Sequence, residues 1–378
     1  MELQSTGLFI LLMAVFCALL AWVALTKQPV FRVLAACLAF VPAMLFGVAA
    51  VNKYYDYYQT WGSLAADLGG QGLNTVPAVP RNIAPQRLTA ILGKVTGSRL
   101  AAQVGETVRF SITGRPSHIS RAVYVYLPPQ YFQAAFGRRR FPAVELISGY
   151  PGEPQDWINV VGIVQAYDTL LHDGAVQPAV LVMPDPNGSP RISLQCLNVV
   201  HGPQDATYLA RDVPAYLSQT LRLQPSGRAW GIAGYSEGGF CAANLALLYP
   251  GRYGFAGVLS GYFRPSKDRL GPSRLVNPFG SNTKLRKANT PLDRLPALPL
   301  AVKIPKFWMH TMATWRALVP PLLEWMTPKL AQAALHPQPV HVVRKAKSRG
   351  EAGVPSASSS RTTIPSPRPT APSTRAPG

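Results

Sequence analysis

Gly234-Tyr235-Ser236-Glu237-Gly238-Gly239 is the stretch that decides the fold. It follows an apolar run at 229–233 and opens onto a helical stretch at 241–248, so a G-x-S-x-G pattern sits between a strand and a helix. A sharp turn at that junction lifts the serine Oγ clear of the sheet and leaves the next backbone N–H free to meet an oxyanion. The flanking residues must be small, and Gly234, Gly238 and Gly239 supply them. The bare pattern also occurs in plain turns. The strand before it and the helix after it are what mark Ser236 as a nucleophile.

Strand-like runs recur on both sides of this turn, at 107–112, 122–127, 142–147, 179–183, 229–233, 255–259 and 302–307. Helical patterns separate several of them, at 156–172 and 207–223. An antiparallel start followed by alternating strand and helix predicts an α/β fold, a mostly parallel sheet covered on both faces. With 378 residues, 48% of them hydrophobic, the chain can bury a sizeable core. No internal repeat is visible.

Two further segments supply the rest of a hydrolytic site. Leu146-Ile147-Ser148-Gly149-Tyr150-Pro151-Gly152 ends a strand at a glycine-rich turn, where an α/β-hydrolase provides its second oxyanion N–H. That donor is assigned to Tyr150, with Glu237 giving the first; a plain β-turn is the competing reading. His310 opens His310-Thr311-Met312-Ala313-Thr314-Trp315-Arg316, which runs into an amphipathic helix at 318–325. It follows Ser236 in chain order, as the general base of this fold must. His118, His172 and His201 precede the turn, and His336 and His341 fall in the tail. No metal and no cofactor are expected.

The apolar residues cluster at the start. Residues 8–25 run without a polar side chain, and residues 33–51 are interrupted only by Pro42 and Gly47. Each is long enough to cross a bilayer as a helix. The leading MELQSTG has an acid, no Lys or Arg, and no small-residue cleavage site follows, which argues against a cleaved signal. The loop at 26–32 carries Lys27 and Arg32, so the positive-inside rule puts it in the cytoplasm and both flanks outside. Tyr54, Tyr55, Tyr57, Tyr58 and Trp61 read either as an interfacial aromatic belt or as packing against the soluble domain.

The net charge of +20 does not point to nucleic acid, because the basic residues are scattered and no aromatic-basic platform accompanies them. Their one concentration, Arg344-Lys345-Ala346-Lys347-Ser348-Arg349, heads a Pro-, Ser- and Thr-rich tail too poor in apolar residues to fold. Such a tail either lies on anionic lipid or cell-wall polymer, or is simply solvated. Of four cysteines, Cys17 and Cys37 fall in the apolar segments; Cys196 and Cys241 either form one disulfide or stay as two buried thiols.

GYSEGGFCAANLALLYPGRYGFAGVLSGYFRP at 234–265, the GYPG turn, MPDPNG at 183–188, YLARDVPAYL at 208–217 and HTMATWRALVPPLLEW at 310–325 resemble the actinobacterial esterases related to antigen 85 mycolyltransferases and esterase D. The resemblance covers roughly 108–328 and implies an extracytoplasmic α/β-hydrolase that works through an acyl-serine. It implies Ser236 as nucleophile, His310 as base, and the N–H groups of Glu237 and Tyr150 as the oxyanion hole. One departure stands out. In that family the strand matching 303–307 leads to a triad Asp or Glu, a helix, a last strand and only then the His, whereas here Trp308 and Met309 alone intervene. The nearest upstream acids, Asp268 and Asp293, do not follow that strand. Losing the acid costs a triad on the order of 10⁴-fold in rate.

The resulting expectation is two transmembrane helices at 1–58, a linker and lead-in at 59–100, an α/β-hydrolase domain at 101–330 lacking its last strand, and a basic disordered tail at 331–378. The function expected is a membrane-anchored serine esterase or acyltransferase acting on an acyl ester, lipid or glycan substrate outside the cytoplasm. The alternative is an impaired or non-catalytic surface protein of the same fold.

Overall fold

The strands take their places according to how many of their faces carry apolar side chains. In the computed structural model, which describes residues 2–68, 78–79, 98–189, 192–266, 277–295 and 310–335, the sheet has seven strands: β1 (Ala78–Val79), β2 (Glu106–Thr113), β3 (Ser120–Leu127), β4 (Ala143–Ile147), β5 (Val180–Pro184), β6 (Gly227–Tyr235) and β7 (Tyr253–Leu259). β2 buries Val108, Phe110 and Ile112 at alternate positions, as a half-covered strand does. β4 and β5 are buried at every position, so both of their faces are covered.

The strand order is β1-β2-β3-β5-β4-β6-β7. β5, β4, β6 and β7 run parallel, while β3 is antiparallel to both β2 and β5. The expected α/β architecture with an antiparallel start is therefore present. The order reverses at β4, and in open α/β sheets the crevice beyond the strand ends at such a reversal is where ligands bind.

Among the described residues the longer helices on the sheet are α3 (Ile163–His172), α4 (Val213–Thr220), α5 (Glu237–Leu248) and α6 (Met312–Leu335). They follow the N-terminal pair α1 (Thr6–Leu25) and α2 (Pro29–Tyr55). On one face Val213 and Leu217 of α4 and Ala242 and Leu245 of α5 join Phe110, Trp230 and Ile232. On the other, Ile163 and Tyr167 of α3 and Trp315, Val319, Leu323 and Met326 of α6 join Leu146, Leu181 and Tyr235. Each fully buried large side chain contributes roughly 1.5–3 kcal/mol.

α1 and α2 are long and apolar enough to cross a membrane, by length and composition alone. Their outer faces expose Leu25, Phe40 and Val48. The two helices touch through Phe9 and Phe46, whose rings meet edge to face at 5.3 Å.

Several expectations change. The helical pattern at 156–172 is two helices, Asp156–Asn159 and α3, because Gly162 takes a left-handed φ of 72° between them. The pattern at 207–223 contains a π-turn, Tyr208–Asp212, ahead of α4, because Pro214 has no N–H to complete the i−4 ladder. The supposed linker holds a helix, Trp61–Leu68, where Leu64 and Leu68 recur four apart, and the short β1. The helix placed at 318–325 runs from Met312 to Leu335, past the boundary drawn at 330. The strand at 302–307, Asp268, His336, His341 and the basic tail lie outside the described residues.

Candidate active site

Ser236 stands alone between β6 and α5 with φ 56° and ψ −121°, a backbone conformation that a side-chain-bearing residue adopts only when its surroundings force it. The surroundings are close. A Cβ on Gly234 would come within 2.1 Å of the Gly238 carbonyl oxygen, and one on Gly238 within 2.0 Å of the Ile147 carbonyl oxygen. Glycine is the residue that fits at both. The Ser236 N–H donates to the Leu259 carbonyl at 2.9 Å, which ties the turn to the end of β7.

His310 lies just ahead of α6, with its Nε2 2.9 Å from Ser236 Oγ. The first turn of α6 sets where that imidazole sits. Thr311 Oγ1 accepts from the Thr314 N–H at 3.3 Å, and the Trp315 and His310 rings meet nearly at right angles, centroids 4.9 Å apart. The Trp315 indole N–H donates to Ser260 Oγ at 3.2 Å, fixing the ring to the loop after β7. Partial burial lowers the His310 pKa below the ordinary imidazole range, even though the residue as a whole remains open to solvent. The neutral form, which can take a proton from a hydroxyl, is favoured.

The turn after β4 lies against Ser236: a Cβ on Gly149 would come within 3.0 Å of Ser236 Cβ, and Tyr150 is the next residue. Glu237 is the first residue of α5, so its backbone N–H has no partner within the helix. Its carboxyl is buried, bonded to Ser193 Oγ and, at 3.3 Å, to Asn187 Nδ2, and burial raises its pKa. Asn187 Oδ1 also accepts from the Leu194 N–H at 2.8 Å. Asn187 belongs to the MPDPNG turn, which Asp185 shapes by accepting the N–H groups of Asn187 and Gly188 at 3.0 and 2.7 Å. The Glu237 side chain thus locks the residue after Ser236 through contacts that no local sequence pattern signals.

Among the described residues no carboxylate is bonded to His310. Residues 296–309, between the helix Pro291–Arg294 and the histidine, contain no Asp or Glu. Asp293 lies 4.0 Å from Arg264 on the helix Pro291–Arg294 and does not contact His310. No group of three His, Cys, Asp or Glu among the described residues is placed to hold a metal.

Cys196 and Cys241 form a disulfide, Cα atoms 5.5 Å apart, resolving the two readings left open by the sequence. It pins the loop that carries Ser193 to α5 behind Ser236. Other contributors left no signal in the sequence. Trp315, Arg316 and Asp56 meet partners far away in the chain, and no local spacing announces such meetings.

A family of proteins described as "Putative esterase" matches residues 118–327, more than half of the chain. An uncharacterized protein of Corynebacterium glutamicum is 28% identical over 272 residues, covering 70% of this chain and 59% of its own length. The MPT51 antigen of Mycobacterium leprae is 43% identical over 60 residues, 16% of this chain and 19% of that protein. The chain thus spans less than two thirds of the length of each of these relatives. Among solved structures, an S-formylglutathione hydrolase from Agrobacterium tumefaciens is 16% identical with a TM-score of 0.49, covering 60% of this chain and 96% of the other.

Proposed function

This chain belongs to the Esterase family, and on that premise we propose that it is a membrane-anchored serine esterase or acyltransferase acting outside the cytoplasm. The observation that carries the reading is the 2.9 Å contact between His310 Nε2 and the Oγ of a strained Ser236. His310 Nε2 takes the Ser236 proton as Oγ attacks the ester carbonyl. The oxyanion so formed accepts from the N–H groups of Glu237 and Tyr150. Collapse expels the alcohol, protonated by His310, and water or a second hydroxyl then attacks the acyl-serine.

The absence of a carboxylate on His310 among the described residues favours a slow enzyme. Nothing there stabilises the imidazolium as Oγ is deprotonated. The extracytoplasmic placement is supported by the Cys196–Cys241 disulfide, a bond that persists in oxidising compartments, and by Lys27 and Arg32 in the loop between α1 and α2. The substrate class proposed is an acyl ester, including lipid or glycan esters.

Turnover of a short p-nitrophenyl ester by the full chain, compared with Ser236→Ala, tests the chemistry. A rate abolished in the variant is expected; equal rates in the two would overturn the reading. Reporter fusions after Tyr58 and after Pro328 test the topology, and cytoplasmic reporter activity at either would sink it.

A further inference from the structure

The turn of α6 that follows His310 is held by the end of the N-terminal hairpin. Arg316 lies on α6, six residues after the histidine. Its Nε donates to the Val160 carbonyl at 2.7 Å, its Nη2 to the Tyr57 carbonyl at 3.1 Å, and its Nη1 pairs with the Asp56 carboxylate. Both charged side chains are largely shielded from water, at 18% and 17% exposure, so the pair is not a loose surface contact.

Asp56 is itself held in place. It caps α2 in a left-handed conformation, φ 52°, and its other oxygen accepts from Gln4 Nε2 at 2.6 Å, just ahead of α1. Gln4 Nε2 and Asn52 Nδ2 both donate to the Tyr58 carbonyl, at 2.9 and 2.8 Å, and Tyr57 packs against the cluster that contains Tyr235 and Trp315. Both ends of the hairpin therefore converge on one carboxylate, and that carboxylate meets the helix next to the base.

We propose that Asp56 and Arg316 are positioning residues for His310: the hairpin completes the catalytic site by fixing the turn that carries the base. In a full triad a carboxylate bonded to Nδ1 orients the ring. Here no described side chain bonds that nitrogen, so the ring's placement depends on where the first turns of α6 lie. Trp315 fixes one side of that turn through Tyr235 and Ser260, and Arg316 fixes the other through Val160 and Asp56. The anchor is then a working part of the site as well as a tether. This inference rests on the serine-esterase reading.

The test is a double-mutant cycle on the full chain in detergent, with p-nitrophenyl butyrate as substrate. Asp56→Asn keeps the shape and removes the charge. It is expected to lower kcat between about tenfold and a hundredfold, the penalty for misplacing a catalytic group by about an ångström, with KM nearly unchanged. In a His310→Ala background the same change should cost nothing further, because there is no ring left to position. An equal loss in both backgrounds, or no loss in either, overturns the proposal. Should Asp56→Asn fail to fold by circular dichroism, Arg316→Lys, which keeps the charge and loses the fork, takes its place in the cycle with the same expectations. If the wild-type chain shows no Ser236-dependent turnover, the esterase reading fails by itself. The strut is then read from the His310 ring in ¹⁵N-histidine NMR, whose titration midpoint should shift on Asp56→Asn; an unmoved midpoint overturns the strut.

Discussion

Trp315 stacks on Tyr235, with ring centroids 4.5 Å apart and planes 27° from parallel. One ring belongs to the residue before Ser236 and the other to the helix after His310, so the stack fixes the separation of these two residues. Trp315 is 5% exposed, and removing a buried indole costs about 3–5 kcal/mol. Trp315→Ala should therefore lower both the urea midpoint and kcat. Trp315→Phe should keep most of the stability while losing the bond to Ser260 Oγ. Full activity in Trp315→Ala would show that the stack does not hold the pair.

The acid limb of kcat/KM should reveal how His310 is seated. Its pKa is lowered by burial, so the neutral base persists below the ordinary imidazole value of about 6.5 and activity falls only as pH drops through that lower pKa. A carboxylate partner would act in the opposite direction and raise it. A pH-rate profile of p-nitrophenyl ester turnover with an acid-limb pKa above about 7 would mean that an unrecognised acid contacts the ring.

Glu145, in the middle of β4, is fully buried and accepts from the Tyr253 hydroxyl at 2.9 Å; burial raises its pKa to about 8. The sign follows from linkage. Unfolded, the carboxyl ionises near pH 4.5, whereas folded it holds its proton up to about pH 8, so the native state binds the extra proton and loses stability as pH rises between those values. The loss is about 1.4 kcal/mol per pH unit across that window. Glu145→Gln, neutral at every pH, should flatten the curve, and denaturant titrations at pH 5 and pH 8 would show it. A wild-type protein equally stable at both would refute the shift.

The sheet and the elbow were legible in the sequence because they rest on local pattern: apolar runs of strand length, then three glycines around one serine. What was not legible depended on distant partners or on one residue overriding its neighbours. Gly162 interrupts a stretch whose other residues favour helix, and Pro214 turns another into a π-turn. α6 runs through Pro320, Pro321 and Pro328, well past the helix expected at 318–325, because Met312, Trp315, Val319, Leu322, Met326 and Leu330 bury one continuous stripe against the sheet. The site was half legible. Chain order singled out His310, but nothing in the spacing of the sequence pairs Asp56 with Arg316.

The left-handed φ of Ser236 sets function against folding at a single residue. Only glycine occupies that backbone region freely, and a side chain held there costs on the order of 1–3 kcal/mol. A library of this chain selected for thermal endurance alone should therefore drift to Ser236→Gly, more stable and inert. Selected for ester turnover, it should keep the serine and accept the lower melting temperature.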